Sequence, residues 1–255
     1  MLLAVDIGNS NTVLGLFDGT ELKVRWRIST QTDRTADETY LTLLSLLQTK
    51  GLDPTAIHGM IIASVVPPVT PVFSQMAHQF LETRAIIVGV GTRTSMPIMV
   101  ENPREVGSDR IVNGVAGYHL TQTATIIVDL GTAITLDALD AKGRYLGGAI
   151  APGLSLSLDA LFSRTAKLPR VDLLPPPQTI GRNTVQSIQS GVFFGSVALV
   201  DGLVDRARNE MEDDPISVIA TGGYAQAIAD ASRCIQRVEP DLTLLGLRLI
   251  YERNQ

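Results

Sequence analysis

The sequence predicts an α/β protein made of two similar halves, each a mixed sheet flanked by helices. Three observations carry this. Short apolar runs alternate with helical patterns along the chain, as layered sheets and helices require. An Asp-x-Gly turn follows an apolar strand twice, at Asp6 and at Asp129. Finally, VDIGNSNTVLGL at 5 to 16 lies over VDLGTAITLDAL at 128 to 139 with Val, Asp, Gly, Thr and the final Leu matched without a gap, at an offset of 123 residues. An internal duplication is the simplest source of such a match.

The first half opens with three strand-like runs, at 2 to 6, 12 to 17 and 21 to 28, with an Asp-Gly hairpin signal at Asp18 and Gly19 between the last two. A helix follows: Thr35 and Glu38 have capping-box spacing, Tyr40, Leu41, Leu44 and Leu47 recur at helical intervals, and Gly51 serves as the stop. The run at 60 to 66 reads as a buried strand ended by Pro67 and Pro68; a helix then starts near Thr70 and Pro71, and 85 to 90 is another strand. In the second half, 125 to 129, GTAITLDAL and, after a turn at Lys142 and Gly143, RYLGGAI repeat the order strand, glycine turn, strand, hairpin, strand. A helix is expected around 153 to 166. The proline-rich stretch at 168 to 178 is too short and too apolar for a disordered tether. The longest helical pattern, Thr184 to Met211, carries Gly191, Gly195 and Gly202; it suits close packing, either in the core or against a second copy. A strand at 216 to 221 ends in Gly222 and Gly223, and an amphipathic helix closes the chain at 242 to 252.

Composition narrows the function classes. A net charge of -5, from 26 acidic and 21 basic residues that are interspersed, gives no footprint for nucleic acid or an anionic membrane. With 5% aromatic residues there is little to stack on bases. The single cysteine, Cys234, reads as a small buried hydrophobe in a reducing compartment, and His58, His78 and His119 lack zinc-ligand spacing. No basic leader precedes the first strand and no apolar run approaches the length of a bilayer span, so a cytoplasmic location is expected.

A glycine directly after a strand lets backbone N–H groups approach phosphate oxygens, and neighbouring hydroxyl or amide side chains add donors. Gly8 comes with Asn9, Ser10, Asn11 and Thr12; Gly131 comes with Thr132 and Thr135. The strand-end aspartates repel phosphate, so their task is to hold a cation that neutralises it. Neither a P-loop nor a dinucleotide fingerprint is present. The other unusual segment, ENPREVGSDRIVN at 101 to 113, sets Pro103, Gly107, Ser108, Asp109 and Arg110 ahead of an apolar helix. Two readings are open there. Ser108 or Asp109 caps the helix with Arg110 as a surface cation, or Asp109 accepts the proton of an attacking hydroxyl while the loop and Arg110 hold the acceptor or phosphates.

Together, VDIGNSNT, NPREVGSDRIVN, VDLGTAITLD, GGAIAPG at 147 to 153, IGRNT at 180 to 184 and ATGGYA at 220 to 225 resemble the type III pantothenate kinases, in the same order over practically the whole chain. The resemblance implies a duplicated ribonuclease-H-like (actin-like ATPase) fold, a homodimer, and ATP-dependent phosphorylation of pantothenate to 4'-phosphopantothenate, the first step of coenzyme A synthesis. It implies two halves, 1 to 118 and 119 to 255, the first with a phosphate loop and the pantothenate turn, the second with the other loop, the adenosine-side glycines and the dimer helix. Position by position, Asp6, Ile7, Gly8, Asn9, Ser10, Asn11, Thr12 and Val13 resemble the first ATP loop, on the magnesium side, and Thr132 contributes from the second. Asp109 resembles the proton acceptor, Gly107, Ser108, Asp109 and Arg110 the pantothenate turn, and Thr184 a further substrate contact. Asp129 resembles the ligand of a monovalent cation, potassium or ammonium, and Gly222 and Gly223 the glycines that leave room for adenine.

One position departs from the family. Many members have a tyrosine just before the ENPREVG stretch that touches pantothenate; here it is Val100, which forgoes a phenolic hydrogen bond worth about 0.5–1.5 kcal/mol. Two alternatives share the fold: a kinase for another small hydroxyl or acid substrate, and a non-catalytic regulatory protein. Retention of Asp6, Asp109 and Asp129 speaks against the second.

Overall fold

The computed structural model describes every residue, Met1–Gln255. Two five-stranded mixed sheets organise it. In the first, β1 (Leu2–Ile7), β2 (Asn11–Asp18) and β3 (Glu21–Ser29) form an antiparallel meander, and β4 (Gly59–Ser64) and β5 (Ala85–Ile87) add in parallel beyond β1. The second repeats this strand for strand: β6 (Ala124–Leu130), β7 (Ala133–Leu139) and β8 (Tyr145–Pro152) are the meander, and β9 (Ile216–Thr221) and β10 (Arg237–Val238) the parallel additions. Three antiparallel strands followed by parallel ones reached through helices, occurring twice, are a duplicated ribonuclease-H-like fold.

Each sheet buries one face under its own helices. On the first, Leu3, Val5 and Ile7 point into a core closed by α1 (Ala36–Gln48) and α2 (Thr70–Phe80), through Leu43, Leu47, Phe73 and Met76. The capping box forms as expected: the Glu38 amide donates to Thr35 Oγ1 at 3.2 Å, and the Thr35 amide donates to Glu38 Oε2 at 2.8 Å. Leu41, expected on the apolar stripe, is instead 60% exposed, because the buried face is centred on Leu43. On the second sheet, Ile126, Val128 and Leu130 face α4 (Leu154–Arg164), α5 (Thr184–Glu210) and α6 (Ala225–Ala229). By length and hydropathy α5 alone suffices to cross a bilayer, and the burial of Ile188, Val192, Val197, Val200 and Val204 accounts for that apolarity.

By its contacts the chain divides into two compact units, Met1–Ser95 with Glu101–Ala116 and Leu242–Gln255, and Met96–Val100 with Gly117–Asp241. The boundary thus falls inside α3 (Ser108–Thr121), and the last helix, α7 (Leu242–Glu252), returns to the first unit. There it packs on β1 and β4, and its Gly246 lies against the Val112 carbonyl of α3, an approach that a Cβ would block. Residues 168 to 178 have no regular structure but are held along α5, where Gln189 donates to the Asp172 carbonyl at 2.9 Å. The strand expected at 85 to 90 stops at Ile87, because the Thr92 hydroxyl donates to the Ile87 carbonyl at 3.1 Å and accepts from the Gly89 amide at 3.1 Å, turning the chain.

Candidate active site

At the carboxyl end of β1, Asp6 is opposite Val13 of β2 and Ala63 of β4, partly exposed where the strand gives way to a loop. Asn9, Ser10 and Asn11 are exposed at the loop tip, while Ile7 and Thr12 are buried beneath it. The Gly8 amide donates to the Asn11 carbonyl at 3.0 Å, and the Thr30 amide to the Ser10 carbonyl at 3.1 Å. The Thr30 hydroxyl gives its one proton to the Gly8 carbonyl at 2.7 Å, so Thr12 donates to Thr30 Oγ1 at 2.9 Å. Thr12 is therefore a strut under the loop, and the exposed donors are those of the tip. Nothing in the sequence marked Thr30 for this work.

Beside β1, β4 ends at Ser64, opposite Ile7. The Ser64 amide donates to Ser108 Oγ at 2.9 Å, and that hydroxyl donates to the Ser64 carbonyl at 3.0 Å. This reciprocal pair fixes the first residue of α3 to the end of the strand next to Asp6. Ser108 thus spends its hydroxyl on β4 rather than on capping its own helix. Asp109, in the first helical turn and partly exposed, accepts from the Arg110 amide at 2.9 Å through Oδ1, which leaves Oδ2 for another partner. A Cβ at Gly107 would displace the Asp109 carboxylate from this position. The first loop, Gly107, Ser108, Asp109 and Arg110 thus gather at the carboxyl ends of two adjacent parallel strands, where open α/β sheets bind their ligands.

The second unit builds a related loop. Asp129 is opposite Thr135 of β7 and Thr221 of β9, and the Gly131 amide donates to the Ala133 carbonyl at 3.1 Å. Thr132 is exposed at the tip, and its carbonyl accepts from the Gly153 amide at 3.1 Å, tying the loop to the start of α4. Gly222, at φ +98, passes so close that a Cβ would come 2.6 Å from the Leu130 carbonyl carbon and 2.7 Å from Asp129 Oδ1.

The gapless sequence repeat conceals a slip. Ile7 pairs with Thr12, whereas the equivalent Leu130 pairs with Ile134 rather than Thr135, so the second loop is one residue tighter. A one-residue slip turns side chains to the other face of a sheet. Thr12 accordingly lies on the core face with Ile7, while Thr135 shares a face with Asp129.

Thr184 begins α5 after the Asn183 cap and lines a groove of about 630 Å³ between α4 and α5, with Ser157, Leu161, Leu168, Gly191 and Gly195. Val100 belongs to the second unit, next to Gly147 of β8, in a segment whose Met99 amide donates to the Tyr145 carbonyl at 2.8 Å.

A duplicated ribonuclease-H-like fold with a carboxylate near the end of the first strand of each sheet and a glycine loop after it defines the actin-like class of phosphotransferases and ATPases. The sequence profile of the type III pantothenate kinases matches residues 2–206. The chain is 52% identical over 254 residues to a type III pantothenate kinase of Moorella thermoacetica and 53% identical over 255 residues to one of Pelobacter propionicus, covering 100% of both chains in each case. Among solved structures it is similar in fold to an inorganic polyphosphate/ATP-glucomannokinase from Arthrobacter sp. strain KM, with a TM-score of 0.53 and 11% identity over 100% of this chain and 99% of that one. The chain belongs to the type III pantothenate kinase family.

Proposed function

We propose that the protein transfers the γ-phosphoryl group of ATP to the primary hydroxyl of pantothenate, giving 4'-phosphopantothenate at the entry to coenzyme A biosynthesis. The family supports the reaction, and one observation carries the assignment of roles: the Ser108 to Ser64 pair holds Asp109 at the strand end adjoining the Asp6 loop. The hydroxyl oxygen attacks the γ-phosphorus, its proton passes to Asp109, and the bond to the bridging oxygen breaks to release ADP. In this reading Asn9, Ser10 and Asn11 at the exposed tip of the first loop donate to ATP phosphates, with the buried Ile7 and Thr12 supporting that tip; by the family resemblance Thr132 is a further ATP contact, Gly107 to Arg110 receive pantothenate and Thr184 is a further pantothenate contact.

Magnesium belongs to this reading on the Asp6 side, and potassium or ammonium at Asp129. The residues fit both ions. Each aspartate stands among hard oxygen donors of the kind such ions take: Asp129 is opposite Thr135 and Thr221 in its two strand pairs, and Asp6 precedes a loop of hydroxyl, amide and carbonyl oxygens. When bound, the cations supply neutralisation of phosphate charge.

The reading includes a homodimer in the cytoplasm. Its support is the outer face of α5, where Ser187, Gly191, Gly195 and Ala198 are exposed and a Cβ at Gly191, Gly195 or Gly202 would meet no atom of the chain within 4 Å. Such a stripe admits another helix closely, and α4 and the start of α5 also carry exposed apolar side chains at Leu156, Phe162 and Val185. A panel of acceptors tests the substrate. With ATP, magnesium and potassium present, pantothenate is phosphorylated faster than hexoses or acetate, and a faster rate on either of those overturns the assignment.

A further inference from the structure

The second unit contains a carboxylate to which the reaction gives no role. Asp137 of β7 is 0% exposed. The Tyr145 hydroxyl donates to its Oδ1 at 2.7 Å, and the Thr135 hydroxyl donates to its Oδ2 at 3.3 Å. Tyr145 is itself 1% exposed. A carboxylate taken out of water is costly unless hydrogen-bonded, so its presence calls for an account of what those donors do.

Strand register supplies it. Asp129 faces Thr135 across the β6–β7 ladder, and Ile127 faces Asp137. Residues facing each other in an antiparallel pair point to one side of the sheet with Cβ atoms about 4.5–5.5 Å apart. Asp129, Thr135 and Asp137 therefore share one face, with Thr135 between the two acids. A threonine hydroxyl has one proton and two lone pairs. With the proton given to Asp137, Thr135 turns only lone pairs toward the neighbourhood of Asp129. In that state it cannot donate to a phosphate oxygen, which its place in the glycine turn would suggest, but it can accept a cation.

We propose that Thr135 Oγ1 is a second oxygen ligand of the monovalent cation held at Asp129, and that Asp137, fixed by Tyr145, is the positioning residue that keeps the Thr135 proton away from that ion. The inference rests on the cation reading above and adds to it the residues that set affinity.

The test uses the full-length protein with Thr135→Val, Thr135→Ser and Asp137→Asn. Valine keeps the β-branched shape that the strand favours and removes only the hydroxyl. Asparagine still accepts from Tyr145 but offers Thr135 an amide donor, which turns the Thr135 proton outward. Two quantities are measured for each: the KCl concentration that half-saturates phosphorylation of pantothenate, and the melting shift produced by KCl over choline chloride at equal ionic strength, without substrates. Thr135→Val and Asp137→Asn are expected to raise the half-saturating concentration about 10–100-fold, as loss of a ligand or its supporting partner does, and to lose the melting shift. KM for pantothenate at saturating KCl stays unchanged, and Thr135→Ser retains wild-type behaviour. Wild-type potassium affinity in Thr135→Val overturns the proposal, and that variant decides even where Asp137→Asn does not fold. A wild-type protein indifferent to KCl in both measurements overturns the cation reading and this inference together; loss of activity with a normal KCl-dependent melting shift in Thr135→Val overturns the inference alone.

Discussion

Asp109, the proposed proton acceptor, is held in place by its neighbours. One of its oxygens is occupied by the next amide, Ser108 anchors its helix to β4, and the bare Gly107 gives its carboxylate room. Asp109→Ala is expected to lower kcat about 10²–10⁴-fold, the range for a general base, while the melting temperature stays at the wild-type value; an undiminished kcat removes Asp109 from the reaction. Asp140 has a purely structural task, in the hairpin between β7 and β8. It accepts from the Lys142 amide at 3.0 Å, the Arg144 amide at 2.9 Å and Arg144 Nε at 2.5 Å. Burial pushes its pKa up, but those bonds and the Arg144 charge outweigh burial and hold the carboxyl below its ordinary value. A depressed folded-state pKa means stabilisation present above the unfolded value and lost as pH falls through the folded one. Asp140→Ala should therefore cost about 1.5–3 kcal/mol at neutral pH, a gap that closes as pH drops below about 4, as urea melts at the two pH values will read.

The elements differ in how far they can be read from residues alone. Local devices were legible: the Thr35 and Glu38 box and the Asp18-Gly19 hairpin act within a few residues of themselves. The meander that opens each half was legible for the same reason, since its strands are neighbours in sequence. The slip between the loops was not, because a one-residue shift of register leaves the aligned sequences intact while reversing the face of Thr135; only pairing partners reveal it. Nor was the Ser64 to Ser108 pair, whose members are 44 residues apart and chemically ordinary. The two-residue β10 carries no periodicity to detect, and α7 joins the first unit through contacts with β1 and β4 that no local pattern encodes. Gly222 illustrates an element-scale constraint that is both local and tertiary: its φ of +98 penalises a side chain, and Leu130 occupies the space for one. Gly222→Ala is expected to lose about 1–3 kcal/mol from backbone strain alone, more with the collision, and a thermal melt unchanged from wild type would refute the packing described.

At the scale of the molecule, two units with one topology serve unequal ends. The first brings the Asp6 loop and Asp109, the proposed phosphate site and proton acceptor, to adjacent strand ends, and the second sets Asp129 and Thr135 on one face and leaves a small-residue helix open to solvent. Gly195→Glu places a charge on that helix at a position where a Cβ meets no other part of the chain within 4 Å, so under the dimer reading light scattering should show a dimeric wild type and a folded monomeric variant. A monomeric wild type would contradict the dimer reading. The central claim is that this fold phosphorylates pantothenate, and mass spectrometry of the purified protein incubated with ATP, magnesium, potassium and pantothenate tests it most directly. The account predicts 4'-phosphopantothenate and ADP in equal amounts; ATP consumed with pantothenate unmodified, or no turnover at all, would contradict it.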